Sequence, residues 1–296
     1  MNNYQRIYKT NYLFRPGYLL ASILSALVGN ALPFWLRPPG FTFKWLSAFE
    51  FLIATFLFHL TFLLLNIFFN EKNLTSHFRN RLLFLSVVLI IIFSLLGLHL
   101  TNEITLHKGV PPFVFIAFGL ATFFAGLLYV APPFSFNKRV GGEIIIAEGL
   151  GMLPVVGAYI VQVGDITRTV YIASLPIVVV TGLWIWIIEI INQNNDEKIG
   201  KKTLVIDFGV DFSSRFGVAI IIILFILSIL FAVVSKSLSP LFLIILLLLG
   251  LVWNILVDSW KNYKSPDKMK DVGKKVILLH SVTCLLMIIS SLLNYE

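Results

Sequence analysis

Apolar runs of roughly 20 residues recur along the chain, separated by short polar connections, and that is the length a helix rising about 1.5 Å per residue needs to cross a bilayer core. Nine such runs are present: Tyr18–Leu36, Ser47–Phe69, Leu82–Leu100, Pro111–Val130, Glu143–Gln162, Val170–Ile191, Phe216–Val234, Leu238–Val257 and Val276–Leu293. The pattern predicts an all-α integral membrane protein of nine transmembrane helices, a single domain over residues 1–296, with its termini on opposite sides of the membrane. Phe216–Val234 and Leu238–Val257 are almost purely aliphatic and read as lipid-facing packing helices. The first run follows a polar, basic segment, residues 1–17, and has no small-residue cleavage site. It therefore reads as a retained helix preceded by an amphipathic stretch lying at the membrane interface.

Composition agrees with the pattern: 58% of residues are apolar, 13% are charged and the mean hydropathy is +0.90, far outside soluble usage. All but five of the 23 Lys and Arg residues fall in the N-terminal segment and in the connections after the second, fourth, sixth and eighth runs. This asymmetry predicts that those segments are cytoplasmic, with a bacterial cell membrane as the expected location. The net charge of +8 then belongs to the inside-positive signal and to contact with anionic lipid headgroups. No soluble stretch carries basic residues interleaved with aromatics, so nucleic acid is not an expected partner. The one cysteine, Cys284, sits in the last run and reads as a packing residue. No His/Cys set has zinc spacing, and no pair of broken helices or inverted repeat suggests a transporter.

Three polar tracts interrupt the apolar pattern, and each lies at the end of an even-numbered run. The strongest is Glu189–Gly209. On a helix, Glu189, Asn192 and Asp196 share one face, and Gly200-Lys201-Lys202-Thr203-Leu204 follows. That face can hold a cation, and the lysines beyond it an anion. Earlier, Asn66-Ile-Phe-Phe-Asn70-Glu71-Lys72-Asn73 precedes His77-Phe78-Arg79-Asn80-Arg81. Between them lies Tyr129-x-x-Pro132-Pro133, with the basic pair Lys138-Arg139 and Gly142-Glu143 opening the next run.

These tracts, in this order, resemble the motifs of the UbiA superfamily of intramembrane prenyltransferases. The last is similar to DxxxDxxxGxxTL, with Asn192 in place of the first Asp. The first is similar to NxxxDxxxD, with Asn70 and Leu74 in place of the two acids. The segment Gly149–Gly164 is similar to the dihydroxynaphthoate, menaquinone-pathway branch in particular. The resemblance covers residues 15 to 293 and implies a helical bundle around a central, lipid-accessible cavity.

The resemblance also implies an activity: transfer of a polyprenyl group from its diphosphate to an aromatic or other electron-rich acceptor dissolved in the bilayer. Asp196, Asn192, Asn66 and Asn70 stand at the catalytic motif positions. Arg81, Lys138, Arg139, Lys201 and Tyr129 are expected to meet the substrate. Magnesium, a hard ion that takes oxygen ligands, is the implied cofactor, with Asp196, Glu189 and Glu71 as its expected ligands. Amides coordinate such an ion without offsetting its charge, so Glu71, Glu148 and Glu189 are the acids available to replace what positions 70 and 192 lack. A second possibility stays open at this stage: a non-catalytic relative that has lost the metal site and binds prenyl or quinone-like lipids, or a partner protein.

Overall fold

The computed structural model describes residues 16–71, 74–108 and 111–293, and among these it contains helices and turns but no strand. Residues 1–15 of the expected interfacial segment lie outside the described residues. The helices are α1 (Pro16–Leu36), α2 (Trp45–Asn70), α3 (Ser76–Lys108), α4 (Pro112–Val130), α5 (Gly142–Leu150), α6 (Met152–Val163) and α7 (Arg168–Lys198). The short α8 (Leu204–Phe208) is followed by α9 (Val210–Val234), α10 (Pro240–Asn262) and α11 (Pro266–Leu292). Taking α5 and α6 as one span, nine of these stretches are long and apolar enough to cross a membrane among the described residues.

The core is built around α7, whose Ile177, Val180, Leu183 and Ile187 have no exposed surface. It packs on α9 and α11; α1 lies between α6 and α11, and α2 pairs with α3. Gly29 sets one of these distances, since a Cβ there would stand 2.2 Å from the Val155 carbonyl oxygen of α6. Small residues at such crossings are how helices associate in lipid, where burial of apolar surface supplies no drive between them. The outer surface is correspondingly apolar: Phe84, Ile91 and Leu95 of α3 and Ile220, Ile223 and Leu227 of α9 are all exposed.

The boundaries depart from the hydropathy runs in three instructive places. The fifth run is two helices, because Pro154 has no N–H to donate and its ring excludes the preceding turn, so the helix breaks at Gly151. At the other end, the lysine-rich stretch expected as a loop up to Lys275 instead forms the first turns of α11 from Pro266 onward. Proline is tolerated at a first helical position. Asp267–Lys270 and Asp271–Lys274 pair along the exposed side at 2.8 Å each, while Met269, Val272 and Val276 are buried on the other. Likewise α7 continues beyond Ile191 to Lys198, so Asn192 and Asp196 are helical residues.

Candidate functional site

On α2, His59, Phe62, Asn66 and Asn70 recur at three- and four-residue intervals and line one wall of a cavity of about 1200 Å³. On α7 the sequence Ile185, Ile188, Glu189, Asn192, Asn195, Lys198 lines the facing wall in the same way. Going along α7, the wall changes from aliphatic to carboxylate, to amide and then to ammonium, which gives the cavity an apolar body and a charged mouth. Gly126 of α4 makes room for the Phe62 ring, which a Cβ would approach to 2.6 Å.

The first tract forms a cluster of amides. Asn66 Oδ1 accepts from Asn70 Nδ2 and from Asn137 Nδ2, both at 2.6 Å. Asn137 reaches it from the 3-10 turn Phe136–Lys138, against which Gly142 sits so closely that a Cβ would stand 2.0 Å from the Phe136 carbonyl oxygen. Glu71 lines the cavity, but its backbone carbonyl is tied to Arg79 at 3.1 Å.

The second tract forms a buried ion cluster. Lys201 Nζ donates to Asp196 Oδ2 at 2.9 Å and lies 3.6 Å from Glu189 Oε1, with both carboxylates almost wholly buried. The other Glu189 oxygen, Oε2, is buried without a hydrogen-bond donor. Burial alone would depress the Lys201 pKa, but the charges of Glu189 and Asp196 outweigh it and hold the ammonium above its ordinary value. Lys201 is therefore a fixed cation at physiological pH.

A third group fastens the two tracts together. Glu143 Oε1 accepts from the Leu204 backbone N–H at 2.7 Å and Oε2 from that of Gly141 at 2.9 Å, while the Lys202 N–H donates to the Lys138 carbonyl at 2.9 Å. The segment carrying Lys201 is thereby held against the segment carrying Asn137 and Lys138. Thr203 caps α8 through a bond from the Ile206 N–H to its hydroxyl at 3.2 Å.

Of the residues expected from sequence, the cavity brings together Asn66, Asn70, Glu71, Tyr129, Lys138, Glu189, Asn192 and Lys201. Asp196 is buried behind the lining and reaches the site through Lys201. Arg81 and Arg139 are exposed and outside the lining, Arg139 donating to the Pro133 carbonyl at 2.8 Å. Glu148 is exposed as well. Sequence reasoning passed over Asn137, Lys198 and Glu143. The first two are each near a named basic or acidic residue, and Glu143 was visible only as the acid that opens a helix.

A family model described as the UbiA prenyltransferase family matches residues 22–282. The chain belongs to the UbiA family. Among solved structures, this UbiA chain is similar to a digeranylgeranylglyceryl phosphate synthase, at 17% identity and a TM-score of 0.60, over 93% of this chain and 98% of that one. It is also similar to a UbiA homologue from Archaeoglobus fulgidus bound to DMAPP and Mg2+, at 14% identity and a TM-score of 0.59, again over 93% and 98%. The same homologue bound to GPP and Mg2+ gives 16% identity and a TM-score of 0.55 over the same shares. These likenesses establish the shared nine-helix fold. No curated protein matches the chain in sequence.

A magnesium ion is held through one or two carboxylates together with substrate phosphates. The cavity offers oxygens of that kind: Glu71 and Glu189 line it, and Glu189 Oε2 and Asn137 Oδ1 are buried acceptors without a partner. Asp196 Oδ2 and Glu189 Oε1 are turned to Lys201.

Proposed function

We propose that this UbiA-family protein is an intramembrane prenyltransferase: it takes a prenyl diphosphate, headgroup at the lysine-lined mouth and tail in the apolar cavity, and alkylates an electron-rich, lipid-soluble acceptor. The observation that carries the reading is the polarity gradient of one continuous cavity, from Phe58, Phe62 and Ile185 to Lys138, Lys198 and Lys201. Its volume of about 1200 Å³ exceeds the roughly 300–1000 Å³ usual for a single small ligand, which supports a site for two substrates together. Ionisation of the allylic C–O bond sends the electron pair to the diphosphate, whose charge the ammonium groups meet. The carbocation left behind is stabilised by the faces of Phe58, Phe62 and Tyr129. Attack by the acceptor forms the new carbon bond, and the proton displaced from the acceptor passes to the released diphosphate. An aromatic acceptor of the quinone-precursor type accords with the likeness of Gly149–Gly164 to the dihydroxynaphthoate branch.

The activity is tested by incubating purified protein in nanodiscs with geranyl, farnesyl and geranylgeranyl diphosphate and a panel of aromatic acceptors. Diphosphate release that depends on an acceptor is the expected result. Tight binding of a prenyl diphosphate without turnover on any acceptor would instead favour the lipid-binding relative.

The connections bearing Lys138 and Lys201, and the start of α11 at Asp267, are assigned to the cytoplasm in this reading. In a Cys284→Ser background, Asp267→Cys, at a side chain 91% exposed, should react with a membrane-impermeant thiol reagent only after cells are opened. Labelling in intact cells would reverse the orientation.

A further inference from the structure

A prenyl diphosphate accounts for the mouth of the cavity and for its aliphatic wall, but His59, in the apolar body, has no part in binding it. His59 lines the cavity on the same face of α2 as Asn66, seven residues and two turns earlier, about 10 Å farther from the charged mouth. Both of its ring nitrogens face carbonyl oxygens. Nδ1 lies 3.0 Å from that of Thr55, one turn back on α2, and Nε2 lies 3.3 Å from that of Gly149, beside the break between α5 and α6.

A neutral imidazole has one N–H, so it satisfies only one of these two oxygens. The proton belongs on Nδ1, where the contact is shorter and two facing acceptors would cost more. Nε2 then turns a lone pair toward the Gly149 oxygen, and both residues line the cavity. Two acceptors at that distance with no proton between them call for a donor from the cavity, and one hydroxyl can serve both in a three-centre bond. The surroundings say what carries the hydroxyl. The Phe58 ring stands edge-on to His59, with centroids 5.3 Å apart at 77°, and the Phe62 ring is 4.7 Å from that of Phe58. Both phenyl rings line the cavity, and such faces and edges pack well on a flat aromatic guest.

We infer that His59 Nε2 and the Gly149 carbonyl form the subsite for the second substrate, accepting the hydrogen bond of a hydroxylated arene. The inference rests on the prenyltransferase reading above and names the class of molecule that is alkylated. With its hydroxyl held at His59, the arene extends along α2 toward Asn66, so that a ring carbon meets the allylic carbon next to the headgroup. The O–H stays on the acceptor. Its hydrogen bond draws the proton toward the imidazole, enriches the ring in electron density and makes that carbon the better nucleophile.

The test is equilibrium binding of 1-naphthol and of 1-methoxynaphthalene, which lacks the donor, to the full-length protein in nanodiscs loaded with geranylgeranyl thiodiphosphate, corrected for uptake by empty nanodiscs. The naphthol is expected to bind at least about tenfold more tightly. In His59→Phe, which keeps a ring at the position, the two affinities should come within about twofold of each other, with geranylgeranyl diphosphate affinity changed by less than about threefold. His59→Gln, whose amide oxygen accepts, should restore the preference for the naphthol. Equal affinities in wild-type protein that binds the prenyl diphosphate overturn the inference and leave the prenyltransferase reading standing. That comparison needs no variant, so it decides the matter even if His59→Phe fails to fold. A His59→Phe protein that keeps the full preference also overturns it, because His59 would then be only a cap on the broken helix. A glutamine variant with no preference does the same, since an accepting atom would not be what the site reads. Failure of the wild type to bind geranylgeranyl diphosphate removes the function proposed above and this inference with it.

Discussion

Replacing Lys201 by alanine should be the most damaging single change in the protein. It removes the one cation seated between Glu189 and Asp196, whose side chains are 7% and 3% exposed, and leaves both buried acids without that cation. Breaking a buried pair in this way costs about 3–5 kcal/mol, and the 20% exposure of the Lys201 side chain is too small to relieve much of it. Geranylgeranyl diphosphate binding should fall by about one to two powers of ten, since a charge-assisted contact contributes roughly 1.5–3 kcal/mol. The two effects separate in a triple variant, Lys201→Met with Glu189→Gln and Asp196→Asn, which removes the charges together. Its thermal unfolding in detergent should return close to that of the wild type while its affinity stays low. If the triple variant binds as well as the wild type, Lys201 is a structural partner of its two acids and nothing more.

The second large effect is expected at Glu143, which touches no substrate in this account. Its two oxygens hold the Leu204 and Gly141 N–H groups, and alanine leaves both part-buried donors without this acceptor, at up to about 1–3 kcal/mol each. The Lys201 segment then loses its hold on the Asn137–Lys138 turn. Glu143→Ala should lower the unfolding temperature, make the Gly200–Gly209 segment cleavable by added protease, and weaken geranylgeranyl diphosphate binding by about tenfold. Glu143→Gln keeps one accepting oxygen and should lie between. An alanine variant with wild-type affinity and protease resistance would show that the two segments stay together without this carboxylate.

Most of the fold was legible because its signal is coarse: a bilayer demands long apolar helices, and nine runs of that kind became nine spans. The α5–α6 break was less legible, since hydropathy does not register a proline, although Pro154 was in view. The lysine-rich first turns of α11 were hidden for the opposite reason. Their helix is held by Met269 and Val272 on one side and ion pairs on the other, a pattern that reads as a loop when only charge is counted. At the site, Asn66, Asn70, Glu189 and Asn192, singled out by their spacing, all line the cavity. What spacing does not carry is side-chain direction beyond one helix face. Asp196 turned to Lys201, Arg81 and Arg139 stayed at the surface, and Glu143 took a bridging role that depends on a segment about 60 residues away meeting it in space.

The most direct measurement is a structure of the full-length protein in nanodiscs with geranylgeranyl thiodiphosphate, which resists ionisation. The account predicts phosphate oxygens at about 2.7–2.9 Å from Lys201 Nζ, the charge-assisted range, with the tail running past Phe62 toward Ile185. Density for the diphosphate at the opposite end of the cavity, away from Lys201, would contradict it.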